Sequence, residues 1–237
     1  MLTVVYDNYE GKPGFETAWG FGCVVEGYEK TVLFDTGGSG DILMENLAKT
    51  EIDPDEIDAV VISHNHWDHA GGLDRFLTRN PAVTLYSPGP VSRARRRKIE
   101  DAGGGAEHSR GSSIVCSGIC TTPLLGSLLQ EQALCVETER GPVVLTGCAH
   151  PGVVQMVTSA ADVTGETPYA VLGGFHLKDG SQRQITKVIE GLREVGIVRA
   201  GPSHCTGDAA RQAIAEAFGD GFVNVGVGQQ FSLPDLK

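Results

Sequence analysis

Ser63-His64-Asn65-His66-Trp67-Asp68-His69-Ala70-Gly71-Gly72 sets three imidazoles and one carboxylate within six residues. The segment ahead of it, IDAVVIS at residues 57–63, is a short apolar run of the kind that forms a buried strand. In an extended backbone, side chains two apart point to one face, so His64 and His66 can grip a single ion. The chain then turns into a helix, predicted from about Ala70 to Thr78, and this presents Asp68 and His69 toward a second, neighbouring position. A lone histidine at a strand end is usually an ordinary polar loop residue. Three of them with an aspartate in six residues make a ligand set that suits zinc, and also iron or manganese.

Outward from this segment, short apolar strands alternate with helical stretches. Before it, residues 2–6 read as a strand, 21–27 and 30–35 as a hairpin, and 41–50 as a helix with its apolar residues on one side. After it come a strand in AVTLYS (82–87) and a short basic helix in SRARRRKIEDAGG (92–104), stopped by glycines. Residues 103–113, rich in glycine and serine, read as a loop between two halves, placed to cover a site. The second half repeats the strand-to-helix order: QALCVET and GPVVLTGCAH as strands, GVVQMVTSAADV as a helix, TPYAVLGGFH as a strand, SQRQITKVIEGLREVG as a helix and IVRAGPSH as a strand. A last helix follows in TGDAARQAIAEAFGDG, with Thr206 as N-cap and Gly219 as stop. All the histidines but His108 fall at or just beyond a predicted strand end, where α/β architectures place reactive groups. With no low-complexity tract or linker, residues 1–237 read as one α/β domain with two sheet-containing halves.

Hydrophobic residues make up 41% of the chain and charged residues 21%, the balance of a globular protein rather than a disordered one. No segment approaches the roughly 20 apolar residues that span a bilayer. The opening MLTVVYDNYEGK lacks the basic-then-apolar order of a signal peptide, so a cytoplasmic location is expected. A net charge of −11 speaks against an extended nucleic-acid surface. It leaves room for a small anionic substrate at a local basic spot. The one basic run, Arg93, Arg95, Arg96, Arg97 and Lys98, is by default a solvated helix face; the alternative is a phosphate grip near the entrance to the site. Six irregularly spaced cysteines imply free thiols, and Cys116 and Cys120 lack the second pair that a zinc ribbon needs. Cys148 shares a strand face with His150, and Cys205 follows His204; each is a soft ligand or, more commonly for buried cysteine, packing. Asp7 and Asn8 after the first strand, and Trp67 in the histidine segment, either approach the site or serve the local fold, while His108 reads as an exposed histidine.

HNHWDH after a buried strand resembles the hallmark of the metallo-β-lactamase superfamily, and the resemblance extends over nearly the whole chain. LFDTGG, with Asp35, resembles the early aspartate motif that braces the metal loop; read by itself, Asp35 would cap a glycine-rich turn. TGCAHPG resembles the third motif, with His150, and PSHCTG the last, with His204. The likeness implies a four-layer αββα sandwich with two metal ions, zinc above all, at one edge. It assigns His64, His66 and His150 to one ion and Asp68, His69 and His204 to the other. Where most two-metal members carry a bridging aspartate, this chain has VLGGFHL with His176. His176 is therefore a candidate ligand, proton donor or oxyanion partner. GCAHPG, GGFHL and SHCTG together are similar to the subgroup that includes dihydropterin ribofuranosylaminobenzene phosphate synthases.

A metal with an open position lowers the pKa of a bound water from about 15.7 toward roughly 7. The first expectation is thus a hydrolase acting on a small, anionic or phosphorylated substrate, with Asp68 orienting the water and His176 protonating the leaving group. The second is a pterin-linked synthase that forms a carbon–carbon bond with loss of pyrophosphate, and the third a metal-binding protein without catalysis. A nuclease is disfavoured by the lack of a basic accessory domain. A di-iron oxygen reductase is disfavoured because His66 stands where that type usually has glutamate.

Overall fold

Alternation of side chains along the strands dictates the layering. In β3 (Val32–Phe34) and β4 (Ala59–Val61), residues 32, 34, 59 and 61 belong to one apolar cluster, while Leu33 and Val60 point into another. Period-two patterning of this sort buries both faces of a sheet only when each face has its own cover. The computed structural model describes residues 1–108 and 110–233; residue 109 of the predicted glycine-serine loop and residues 234–237 lie outside them.

The chain begins with β1 (Leu2–Asp7) and β2 (Phe21–Val25), continues through β3, α1 (Gly40–Lys49) and β4, and reaches a short α2 (Trp67–Ala70) and α3 (Leu73–Arg79). Next come β5 (Thr84–Tyr86), α4 (Arg93–Asp101), β6 (Gly105–Glu107), β7 (Ile114–Cys116), β8 (Ile119–Thr121), β9 (Leu134–Val136) and β10 (Val143–Thr146). The remainder is α5 (Val153–Thr164), β11 (Ala170–Gly174), α6 (Gln182–Val195), β12 (Arg199–Ser203), α7 (Asp208–Phe218) and β13 (Gln230–Phe231).

One sheet has the order β13-β1-β2-β3-β4-β5-β6 and the other β12-β11-β10-β9-β8-β7. Their facing surfaces meet in a core that includes Phe21, Phe34, Val61, Leu134, Leu145 and Leu172. The outer face of the first sheet packs on Leu43, Leu47, Phe76 and Ile99 from α1, α3 and α4, and that of the second on α5, α6 and α7 through Met156, Ile189 and Ile214. The order of layers is thus α, β, β, α. Burying one such side chain contributes about 1.5–3 kcal/mol, so the double face rather than any single helix holds the sheets in place. Strands β3 to β6 run parallel, as do β10 to β12. Asp35 and His64 follow the carboxyl ends of the first set and His150, His176 and His204 those of the second, which brings both groups to one edge of the sandwich.

Three local readings change. The helix expected over 70–78 is two pieces broken at Gly71-Gly72, because a Cβ at Gly72 would lie 2.2 Å from the Thr36 carbonyl oxygen. The loop expected over 103–113 contains the edge strand β6, paired with β5, so backbone pairing overrides its glycine content. Thr206 is not the N-cap of α7; Gly207 is, and the Thr206 hydroxyl instead accepts from Phe175 N at 3.0 Å and donates to the Ser203 carbonyl. Gly219 does end α7, with φ +53°. No helix among the described residues is long and apolar enough to cross a membrane.

Candidate metal centre

Asp35 organises the first half of the site. Its Oδ1 accepts from Ser63 N at 2.7 Å, and its Oδ2 accepts from the Ser63 hydroxyl and from His69 Nδ1, each at 2.7 Å. Since the Ser63 hydroxyl proton goes to Asp35, its oxygen accepts from His64 Nδ1 at 2.9 Å. Both imidazoles are thereby fixed with Nδ1 protonated and Nε2 bearing the lone pair, the form in which histidine binds a metal. His64 Nε2 faces His66 Nδ1 at 3.2 Å, two ring nitrogens that need a proton or a cation between them.

The second half has its own brace, which the sequence did not reveal. Glu131 is fully buried and accepts from the amides of Cys148 (2.9 Å), Ala149 (2.8 Å) and His150 (2.8 Å), closing the turn after β10 around one carboxylate. Burial pushes its carboxyl up, and the amides at His150 and Ala149 pull it back. The turn also needs Gly147, where a Cβ would sit 2.1 Å from the Ser63 hydroxyl, so the two halves touch brace to brace. His204 is held from the N-terminal strand: its Nδ1 donates to Asn8 Oδ1 at 2.9 Å, while Asn8 Nδ2 donates to the His204 carbonyl at 3.3 Å. Asn8, of the two residues after β1, is thus the one that touches the site; Asp7 lies behind it, accepting from the Ser203 hydroxyl. Trp19 lies against His204 with ring centroids 4.8 Å apart. Among the described non-glycine residues with positive φ are Asp35 (+58°), Ala149 (+58°), His176 (+52°) and His204 (+47°), each costing about 1–2 kcal/mol that surrounding contacts must offset.

The predicted ligands collect as two groups. His64, His66 and His150 bring ligand atoms within 4.8 Å of one another, and so do Asp68, His69 and His204, joined by Cys148. Asp68 Oδ2 lies 3.3 Å from His204 Nε2 and 3.8 Å from His69 Nε2. A tetrahedral ion with nitrogen or oxygen ligands at about 2.0–2.1 Å spaces them roughly 3.3 Å apart, so these separations fit. One imidazole nitrogen in each group is buried and poorly paired: His150 Nε2 has no hydrogen-bond partner, and His204 Nε2 meets only the Asp68 carboxylate, at 3.3 Å. Protonation states fit as well for His64, His150 and Asp68, while at His69 burial is outweighed by the Asp35 carboxylate, which raises its pKa. Burial, followed by the neighbouring imidazoles, holds His64 well below its ordinary value and His150 at about 4, so both are neutral near pH 7. Burial raises Asp68, but its hydrogen bond and charge interactions with His204 and His69 outweigh this and hold it at about 2.

His176 lies in neither group. Its ring sits 4.3 Å from that of His150 and its ligand atom clusters with Cys148 and Cys205. The Cys205 hydrogen bond pushes its pKa up against partial burial. His176, Cys205, Trp19, Lys178 and Gln184 line a cavity of about 410 Å³. Lys178 Nζ stands 4.5 Å from the Trp19 ring centroid. Larger hollows, of about 690 and 520 Å³, are lined by none of the histidines, so chemistry rather than size selects the site. The basic helix is committed elsewhere: Arg95 pairs with Asp74, Arg96 with Glu100 and Arg97 with Asp101, and Lys98 donates to Thr78. Trp67 is 65% exposed, His108 is exposed with Nδ1 at the Ser87 carbonyl, and the six cysteines form no disulfide.

Comparison with known proteins agrees with this architecture. The profile of the metallo-β-lactamase superfamily matches residues 23–204. The 7,8-dihydropterin-6-methyl-4-(β-D-ribofuranosyl)-aminobenzene-5'-phosphate synthase of Methanocaldococcus jannaschii is 28% identical over 86% of this chain and 84% of its own. A solved structure described as a metal-dependent hydrolase of the β-lactamase superfamily superposes with a TM-score of 0.80 at 25% identity, over 98% of both chains. The metallo-β-lactamase fold protein YhfI from Bacillus subtilis superposes with a TM-score of 0.68 at 15% identity over 96% of both chains, a likeness of fold alone.

Proposed function

The chain belongs to the metallo-β-lactamase superfamily, and from that premise we propose that it is a metal-dependent hydrolase, folded as one domain, that holds two ions, zinc by its donor set. His64, His66 and His150 would hold one and Asp68, His69 and His204 the other. The observation that carries this reading is a buried, poorly paired nitrogen in each group, His150 Nε2 with no partner and His204 Nε2 facing only the Asp68 carboxylate. Leaving such atoms without a partner costs about 1–3 kcal/mol each, and an ion is the partner the surrounding donors suit. Bound there, the ions supply a water of lowered pKa and polarise the oxygen of the scissile group. Asp68 orients that water. His176, exposed beside His150 with its pKa raised, is placed to give a proton to the leaving group. Lys178 supplies positive charge at the cavity next to His176, which favours a small anionic or phosphorylated substrate. Asp35 acts through others: it fixes the tautomers of His64 and His69.

A second reading has one observation in its favour, the 28% identity to a protein named as a synthase whose product carries a 5'-phosphate. In that reading the same residues bind an anionic substrate and the cavity excludes water while pyrophosphate departs.

Elemental analysis of the protein beside its His66→Ala variant tests the centre. About two equivalents of metal in the wild type, with a fall in the variant, support it, and metal in neither removes it. Turnover of a panel of phosphoesters, thioesters, lactones and allylic or pterin-type diphosphates in ¹⁸O-labelled water then separates the readings. Incorporation of ¹⁸O into product supports the hydrolase, and release of pyrophosphate without label supports the synthase.

A further inference from the structure

Asp68 is the only anionic donor among Asp68, His69 and His204, and a fourth donor atom stands within reach. Cys148 Sγ lies 3.3 Å from His69 Nε2, and its side chain is buried at 4% exposure. A tetrahedral ion with sulfur at about 2.3 Å and nitrogen at about 2.0–2.1 Å sets the two roughly 3.5 Å apart. The sulfur, both imidazoles and the carboxylate all fall within 4.8 Å of one another, a complete set of four. His204 Nε2, buried and facing only the Asp68 carboxylate, belongs to the same set.

We infer that Cys148 is a thiolate ligand of the ion held by Asp68, His69 and His204. The inference rests on the two-metal reading above and adds to it a sulfur donor. Backbone geometry gives the reason the thiol points there. Glu131 gathers the amides of Cys148, Ala149 and His150 on one carboxylate, and Ala149 takes φ +58° between them. The turn therefore sends residue 148 into one group and residue 150 into the other, so a single loop serves both ions. Gly147 and Gly174 allow the close packing this needs, since a Cβ at Gly174 would lie 2.3 Å from the Gly147 carbonyl oxygen and 2.7 Å from Cys205 Sγ. The neighbouring thiol, Cys205, stands outside this set, grouped instead with Cys148 and His176. On binding, the S–H bond of Cys148 breaks, its proton leaves to solvent and the sulfur lone pair forms the bond to the ion. The donor set becomes two imidazoles, a carboxylate and a thiolate, which lowers the net charge of that ion to zero and favours a soft borderline metal such as zinc over manganese.

Reconstitution of the metal-free protein with cobalt(II) reads this directly, because a thiolate bound to cobalt(II) gives an intense near-ultraviolet charge-transfer band that imidazole and carboxylate do not. The expected result is a band in the wild type, kept in Cys205→Ser and lost in Cys148→Ser, together with weaker zinc binding at one of two sites. That weakening should be at least the roughly 100-fold that loss of a partner outside the ligand shell can cost. X-ray absorption on the zinc-loaded wild type, which needs no variant to fold, should show one sulfur scatterer at about 2.3 Å. Two bound cobalt ions with no charge-transfer band and no sulfur scatterer would overturn the inference, leaving Cys148 as a simple S–H donor to His69 and the two-metal centre intact. A band lost in Cys205→Ser but kept in Cys148→Ser would assign the thiolate to Cys205 and overturn it equally. Failure to bind cobalt or zinc at all would remove the metal centre itself, a distinct outcome.

Discussion

Asp35 and Glu131 are both fully buried carboxylates at the same edge of the sandwich, yet they brace their halves in different ways. Asp35 takes one amide, one hydroxyl and one imidazole, so most of its bonding goes to side chains that orient ligand nitrogens. Glu131 takes three consecutive backbone amides and touches no ligand nitrogen within hydrogen-bonding distance, its nearest imidazole atom being His64 Nδ1 at 3.9 Å. The first brace tunes donors on a backbone that β4 and α2 already shape. The second creates the backbone shape itself, a left-handed turn at Ala149 with no glycine at that position. A half that offers its ligands from one contiguous segment needs only orientation, while a half that offers single ligands from separate loops must first have those loops built.

That contrast can be broken by exchanging oxygen for nitrogen in each brace. Glu131→Gln should have the largest effect, because charge-assisted bonds to amides contribute about 1.5–3 kcal/mol each and one oxygen now becomes a donor facing donors. A loss of about 3–5 kcal/mol in urea unfolding of the metal-free protein is expected, and a loss under 1 kcal/mol would show that the turn stands without its carboxylate.

Asp7, a third buried carboxylate, sharpens the contrast through the pH at which it gains its charge. Burial pushes its pKa from 3.8 up to about 6 despite the Ser203 and Tyr9 hydrogen bonds. Its folded pKa lies above the unfolded one, so the stability this group contributes is present below about pH 3.8 and is lost as the pH rises through about 6. At 1.36 kcal/mol per unit the difference is roughly 3 kcal/mol. Asp7→Asn should therefore be more stable than the wild type by about 2–3 kcal/mol at pH 8 and equal to it near pH 3.5, in metal-free protein. Equal stability at both values would mean that Asp7 is not strained by burial.

Asp35→Asn should show the smallest change in folding and a change in metal binding instead. An amide cannot accept from Ser63 and His69 on the same oxygen as strongly, so His69 and, through Ser63, His64 lose their fixed tautomers. Zinc affinity measured with a chromogenic chelator should fall about 10–100-fold. Should Asp35→Asn unfold the protein while Glu131→Gln spares it, the two braces would have the opposite roles to those described.

Much of the site was legible in the sequence because its first half is local. His64, His66, Asp68 and His69 follow from an i, i+2 alternation and a strand-to-helix turn, and His150 and His204 from strands that end in histidine. The periodicity gave two sheet-containing halves, and the four-layer αββα order came from the likeness of HNHWDH and its companion motifs to the metallo-β-lactamase superfamily. The breaks at Gly71-Gly72, the strand inside residues 103–113 and the cap at Gly207 were not legible, because each depends on what packs or pairs beside it. The basic helix read by default as a solvated face, and its pairs Arg96 with Glu100 and Arg97 with Asp101 are local, whereas Arg95 meets Asp74, 21 residues away, only in the fold.

The sequence by itself determined that this chain alternates strands and helices in two sheet-containing halves and carries histidines and an aspartate to strand ends, since side-chain periodicity and ligand chemistry are properties of neighbours along the chain. Only the tertiary structure decided which of those groups meet. Glu131 reaches amides 17 to 19 residues on, Asp35 a histidine 34 residues on, and Asn8 a histidine 196 residues on. Contacts over such separations arise from the packing of two sheets face to face, where a hydrogen bond depends on position to within a few tenths of an ångström. No local pattern in the chain encodes that distance, and so the thiol of Cys148, unremarkable in its own segment, acquires its neighbours only when the two halves close.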